Sequence, residues 1–259
     1  MNAKDKLLSI PDFVSVILNE AGVIGDRHGF GVFAVGGFVR DLMLERKSLD
    51  IDIAVQGDGI RLAEELARRL NGSLAVFRHF GTAMIEADIG GDAKFASPCL
   101  RLARIDIATA RSEHYRSPAC YPDVRAASIK ADLKRRDFSI NAIALVLNAR
   151  RFAQIIDYFN GMGDLENGVV RVMHEKSFID DPTRIFRAVR FEQRYNFAID
   201  SHTLSLIKKA VRAGLLCRLK RQRIEKELAL FQKEDACARM AVRLEDITGE
   251  RYVTRGQDE

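Results

Sequence analysis

GVFAVGGFVRDLMLERKSLDIDIAVQG, residues 31–57, places two glycines, an Arg-Asp pair and an Asp-Ile-Asp in one short unit. GVFAVGG reads as a short buried strand that ends in glycines. FVRDLML has helical spacing, with Val39, Leu42 and Met43 as its apolar side. LDIDIAV alternates acid and apolar residues, which predicts a strand. Alternate strand residues face one side, so Asp50 and Asp52 project together while Leu49, Ile51 and Ile53 take the other face. Two adjacent carboxylates with apolar flanks repel each other unless a positive charge sits between them, and an oxygen-only pair suits Mg²⁺. On the D-x-D pattern alone, the plainer reading is an exposed edge strand whose acids face water.

The glycines change that balance. Gly36 and Gly37 stand where strand gives way to helix, so the backbone can come close to a ligand and the exposed N–H groups attract phosphate. Arg40 lies one turn further on and can reach the same phosphate. Strand, Gly-Gly, helix with Arg, then strand with D-x-D describes a triphosphate-plus-metal site, the arrangement that activates a hydroxyl and stabilises departing pyrophosphate.

Around this unit the chain alternates strands and helices. Residues 1–13 carry charges before a short amphipathic stretch that reads as an ordinary helix, and residues 11–28 read as a helix with Val14, Ile17, Leu18 and Ala21 on one face. Residues 58–70 read as a helix capped by Asp58. SLAVFRHFGTAMIEAD and LRLARIDIAT supply two or three further strands, ARSEHYRSPACYPDVRAAS reads as a loop, and IKADLKRRDFSINAIALVLN as a helix then a strand. From about Ser177 the pattern is helical. The fold expected is α+β: a head over residues 1–175 with a mixed β-sheet and helices, then an all-helical module over residues 176–259.

Composition sets outer limits. With 259 residues, 47% of them hydrophobic, the chain can fill a real core. The four cysteines form no CxxC and the five histidines are scattered, which argues against a zinc site or disulfide framework and for the reduced thiols of a cytoplasmic protein. No apolar run reaches transmembrane length, so no membrane partner is expected. The formal charge is +5, and between Arg184 and Lys226 twelve Lys/Arg face three Asp/Glu. Such a stretch is either a solvated helical face or a polyanion-binding surface.

DDPTRIFRAVRF, residues 180–191, holds a second constellation. Asp181 before Pro182 fits an N-cap followed by Pro at the first helical position. Arg184, Arg187 and Arg190 recur every three residues, a costly strip unless an anion or a base edge lies beside it. A carboxylate that accepts from an exocyclic amine, beside an arginine that donates to a ring nitrogen, selects C and A over G and U. Asp181 and Arg184, three apart on a helix, would be neighbours.

VGGFVRDLMLERKSLDIDI resembles the signature of the class II tRNA nucleotidyltransferase and bacterial poly(A) polymerase family, whose head is polymerase-beta-like. RIDIATARSEHY, LKRRDFSINAIAL (Ser139 in place of the usual Thr), DDPTRIFRAVRFEQRYNF and KRQRIEKEL resemble further family motifs in the same order, over about residues 10–235. Several implications follow from the resemblance. Asp50 and Asp52 would hold catalytic Mg²⁺, Gly37 and Arg40 the phosphates, and Arg136, Arg187 and Arg190 the nucleotide. Asp181 and Arg184 would read the base without a nucleic-acid template. Asp106 or Asp137 would be a third carboxylate, unless each only pairs with a neighbouring arginine. Lys220, Arg221 and Arg223 would contact RNA. The implied reaction adds A, or CCA, from ATP or CTP to the 3′ end of tRNA, releasing pyrophosphate. A poly(A) polymerase, a small-molecule nucleotidyltransferase and a silent RNA-binding module are the alternatives. Asp180-Asp181 stands where CCA-adding members carry Glu-Asp, and the wording is closest to bacterial A-adding members, whose polymerase part often follows other domains of a longer chain. Head and neck are expected here with little of the tRNA-measuring body, so nucleotide binding should be intact and RNA affinity weakened.

Overall fold

The computed structural model describes residues 6–7, 10–46, 48–88 and 102–252. Most of the expected amphipathic start lies outside them. The chain packs as two units, one made of Met1–Glu113, Val124–Arg136 and Asn141–Gly161, the other of His114–Asp123, Asp137–Ile140 and Met162–Glu259.

The first unit is built on a seven-stranded mixed sheet of order β3-β4-β5-β2-β1-β8-β9. In chain order the strands are β1 (Gly31–Val35), β2 (Asp50–Gln56), β3 (Ser73–Phe77), β4 (Thr82–Asp88), β5 (Leu102–Thr109), β6 (Arg111–His114), β7 (Asp123–Ala126), β8 (Ile143–Val146) and β9 (Ile155–Asp157). Only β2 and β5 of the large sheet run parallel. Period-two patterning decides its two faces. Ile51, Ile53, Ile85, Ile105 and Ile107 are buried, and the helix Gly59–Leu70 packs against β2, β4 and β5, burying Leu62, Ala63 and Leu66. Asp58 caps that helix, accepting from Arg61 N at 3.0 Å. The helix Asp12–His28 packs on it and on β1, burying the expected Val14, Ile17, Leu18 and Ala21.

The segment read as a loop holds the two short strands β6 and β7, which form a separate ladder. Their residues are mostly polar and none is buried, so no apolar alternation marks them.

The second unit is mainly helical: Ser177–Asp180, Arg184–Tyr195, Ser201–Arg212, Arg221–Phe231 and Cys237–Thr248. It is not wholly so. β10 (Val169–Val170) pairs in parallel with β11 (Ala198–Ile199), two-residue strands too short to carry a period. Its core gathers Phe138, Phe178, Phe186 and Phe231, with the Phe138 and Phe191 rings edge to face at 5.8 Å. Ser139 keeps a hydroxyl at the position of the usual threonine and donates to Asp164 at 2.5 Å. Among the described residues no helix is long and apolar enough to cross a membrane.

Candidate active site

β1 delivers the chain to Gly36, which opens the helix Gly36–Met43 in the left-handed region at φ +68°. A Cβ there would lie 2.8 Å from Arg136 Nη1 and 3.1 Å from Asp52 Oδ2. Glycine is therefore required for both conformation and space, and the backbone, a guanidinium and a carboxylate converge at one point.

Asp52 is half-buried on β2 and Asp50 is exposed at its start. The parallel register sets Asp52 opposite Asp106 and Asp50 opposite Arg104. Burial pushes the Asp52 carboxyl up to about 6; Arg136 and Arg40 pull against it, while Asp106 and Asp50 push further. Asp106 is held by Arg104 Nε at 3.1 Å. Among the described residues no group of three or more His, Cys, Asp or Glu side chains is already gathered as a metal cage. Still, a half-buried carboxylate whose charge is disfavoured by two like neighbours fits a hard divalent ion, which would add the missing positive charge to an all-oxygen donor set.

Arg136 donates to Asp132 at 3.0 Å, and its Nε is buried with no hydrogen-bond partner in the structure. Burial raises the Asp132 carboxyl, but Arg136 and Arg135 outweigh it and hold the group below its ordinary range. Arg40, expected to reach a phosphate, is buried instead and forks onto Asp41 at 3.0 and 2.9 Å while Nη1 donates to Asn141 at 2.7 Å. Its Nη2 lies 3.4 Å from where a Cβ on Gly37 would stand. A cavity of about 440 Å³ opens on this face, lined by Asp52, Asp106, Arg104, Arg136, Met84 and Phe77 among others.

The second unit holds the other constellation. The helix begins at Arg184 with Thr183 as N-cap, not Asp181, because the preceding turn is closed by short-range bonds from Arg184 N to Asp181 O and Ile185 N to Pro182 O. Asp181 caps that turn, accepting at Oδ1 from Thr183 N at 3.0 Å and Thr183 Oγ1 at 2.6 Å. The expectation that Asp181 and Arg184 share a helical face therefore fails in detail: Asp181 lies outside the helix. Arg184 is buried and donates to Ser177 Oγ at 2.6 Å. Beside it, burial raises the Asp180 carboxyl despite His174, Arg184 and Lys176.

Arg223, expected to face RNA, is tied inward. It donates to Asp181 Oδ1 at 2.7 Å and to the Ala119 carbonyl at 2.9 Å, and lies over the Tyr121 ring at 5.4 Å. Arg221 pairs with Glu225 on the exposed side at 2.8 Å, and Lys220 is exposed. Arg187 grips Asp137 at 2.6 and 2.7 Å; burial works against its charge, but Asp137 and Glu227 hold the group above its ordinary value. Asp137 is thus engaged by an arginine in the second unit. Arg190 is buried with its Nε unpartnered, as is Glu227 Oε2, whose carboxyl burial pushes upward. Sequence reasoning missed Asp132, Glu227 and the Arg223–Asp181 bond. KRQRIEKEL contained two of these residues without showing their direction.

The chain is similar to known proteins. The family model described as poly A polymerase head domain matches residues 32–171. An A-adding tRNA nucleotidyltransferase of Geobacter sulfurreducens is 41% identical over 244 residues, which cover 94% of this chain and 26% of that protein. A solved CCA-adding enzyme in apo form superposes with a TM-score of 0.85 at 40% identity, covering 95% of this chain and 56% of the other. A tRNA nucleotidyltransferase solved with a primer tRNA and an incoming ATP analog superposes with a TM-score of 0.74 at 38% identity, covering 87% and 59%. The chain spans about a quarter of the length of the first relative and little more than half of the solved chains.

Proposed function

The chain belongs to the family of the poly A polymerase head domain, and we propose that it is a metal-dependent nucleotidyltransferase that adds A from ATP to the 3′ end of tRNA. The observation that carries this reading is the crowding at Gly36, where a backbone open to phosphate meets Asp52 and Arg136.

By sequence we take residues 1–175 as a head and residues 176–259 as a helical neck; segments 114–123, 137–140 and 162–175 of that head sequence pack with the second unit. Asp50, Asp52 and Asp106 would hold Mg²⁺, which when bound favours the ionised attacking oxygen and offsets charge on the leaving pyrophosphate. Gly36 and Gly37 present backbone N–H groups to the triphosphate. The Arg136 guanidinium, whose Nη1 lies beside Gly36, is the cation set next to that cradle for a phosphate oxygen. Arg40 positions this cradle through Asp41 and Asn141. The acceptor's 3′-oxygen bonds to the α-phosphorus, the bond to pyrophosphate breaks, and the hydroxyl proton passes to solvent water. Such a reaction on tRNA belongs to the cytoplasm.

In the neck, Asp181 accepts from the exocyclic amine and Arg184 donates to the ring nitrogen, the pairing that admits A and C. Arg187, held by Asp137, and the buried Arg190 are the further arginines that would help hold the nucleotide. Arg223 occupies Asp181 Oδ1, so the carboxylate offers Oδ2 to the base. Arg223→Gln is therefore expected to raise KM for ATP about tenfold and to narrow the preference for ATP over GTP, since a charge-assisted bond contributes about 1.5–3 kcal/mol. Steady-state kinetics with both nucleotides checks this; an unchanged ratio would remove Arg223 from base selection.

Pyrophosphate release from ATP, measured with and without RNA, tests the reaction class. Release that needs both RNA and Mg²⁺ is expected. Release without RNA would point to a small-molecule acceptor.

A further inference from the structure

The strand registers carry the carboxylate row across the sheet to its edge. Asp52 pairs with Asp106, Asp106 with Met84, and Met84 with Ala75. One step along, Ala54 pairs with Ala108, Ala108 with Thr82, and Thr82 with Phe77. Residues paired across strands project to the same side. The face that bears Asp52 and Asp106 therefore continues, over a floor of Ala54, Ala108 and Thr82, to a wall of Met84 and Phe77. Phe77 lines the same cavity as the two carboxylates, yet it is 50% exposed. Two strand spacings, roughly 10 Å, separate its strand from that of Asp106.

The turn that follows Phe77 sets Arg78 and His79 between two phenylalanines, the second being Phe80, 52% exposed. Arg111 Nη1 pins this turn by donating to the Phe80 carbonyl at 3.0 Å. Exposed rings among cations beside a polar cavity suit unpaired nucleotides, whose bases stack on aromatic side chains.

Geometry settles which nucleotide. Attacking and leaving oxygens lie in line on opposite sides of the transferred phosphorus. The triphosphate side is Gly36 and Arg136, next to β1. The acceptor must then arrive over β5, β4 and β3. We propose that Phe77, with Met84 lining the same cavity, is the stacking platform for the 3′-terminal base of the RNA acceptor. This role presupposes transfer at the carboxylate row, the function proposed above.

The test uses the full chain and an RNA whose terminal base is 2-aminopurine, whose fluorescence is quenched on stacking. Quenching is expected with the natural chain, lost in Phe77→Leu and restored in Phe77→Trp. With ordinary RNA, Phe77→Leu is expected to raise KM for the acceptor about tenfold or more, with KM for ATP unchanged. An acceptor with an abasic terminus should suffer that rise with the natural chain and none further with Phe77→Leu. No quenching in the natural chain, or a Phe77→Leu penalty equally large on the abasic acceptor, would overturn the platform. If the chain incorporates no nucleotide into any RNA, the transfer reading fails, while quenching that depends on Phe77 would still support the contact.

Discussion

Asp52→Asn is expected to lower nucleotide incorporation at least about a thousandfold while raising the melting temperature of the metal-free chain near pH 8. The two effects share one cause. Burial, with Asp106 and Asp50 nearby, pushes the Asp52 carboxyl up to about 6 from 3.8, against the pull of Arg136 and Arg40. A carboxyl raised on folding binds its proton more tightly in the folded chain than in the unfolded one. Stability therefore falls as pH climbs from about 4 to about 6, and stays lower above that window. At about 1.4 kcal/mol for each tenfold change in proton affinity, the rise from 3.8 to about 6 costs about 3 kcal/mol. Asparagine keeps the shape and removes the charge, so it recovers much of that cost and loses the metal ligand. Melting curves at pH 4.5, 6 and 8, with and without Mg²⁺, separate the contributions. The natural chain should gain stability from Mg²⁺ at pH 8 and the Asn variant should not. Full turnover in Asp52→Asn, or an equal response to Mg²⁺, would remove Asp52 from the metal site.

Asp106 and Asp137 are expected to fail in opposite ways. Asp106 faces Asp52 across the β2–β5 register, and its pairing with Arg104 is solvent-exposed. Exposed pairs contribute little to stability, about 0–1 kcal/mol. Asp106→Asn should thus leave melting nearly unchanged and cut incorporation by roughly a hundredfold or more. Asp137 is buried, and Arg187 closes on it with two contacts. Asp137→Ala strands that guanidinium and should cost about 3 kcal/mol of stability, at the low end for breaking a buried pair because Arg187 is partly accessible. Thermal melting and single-turnover incorporation on both variants decide between the two acids. A stable, inactive Asp137→Ala would make Asp137 the third carboxylate.

The parts legible in the sequence were those carried by local periodicity. Alternation over residues 50–55 separated the acids from Ile51 and Ile53, and the 3.6 repeat in residues 12–28 marked its buried face. Asp58 carried its cap in its own side chain. What stayed hidden depends on where distant segments meet. Nothing in SLAVF says that Phe77 will share a face with Asp52, because three strand pairings intervene. Arg223 looked like one more cation of a basic run until the fold turned it toward Asp181 and Ala119. Arg40 looked free for phosphate because Asn141, which it grips, lies 101 residues away. Asp181 was misplaced by two residues as a cap because Pro182 fits a helix start and a tight turn alike.

The most direct measurement offers each labelled NTP with Mg²⁺ to tRNA transcripts ending before CCA, after C, after CC and after CCA. Addition of a single A to the CC-ending transcript, absent in Asp52→Asn, is the result expected of this chain. Failure to label any RNA end while ATP still binds, or labelling that survives in Asp52→Asn, would contradict it.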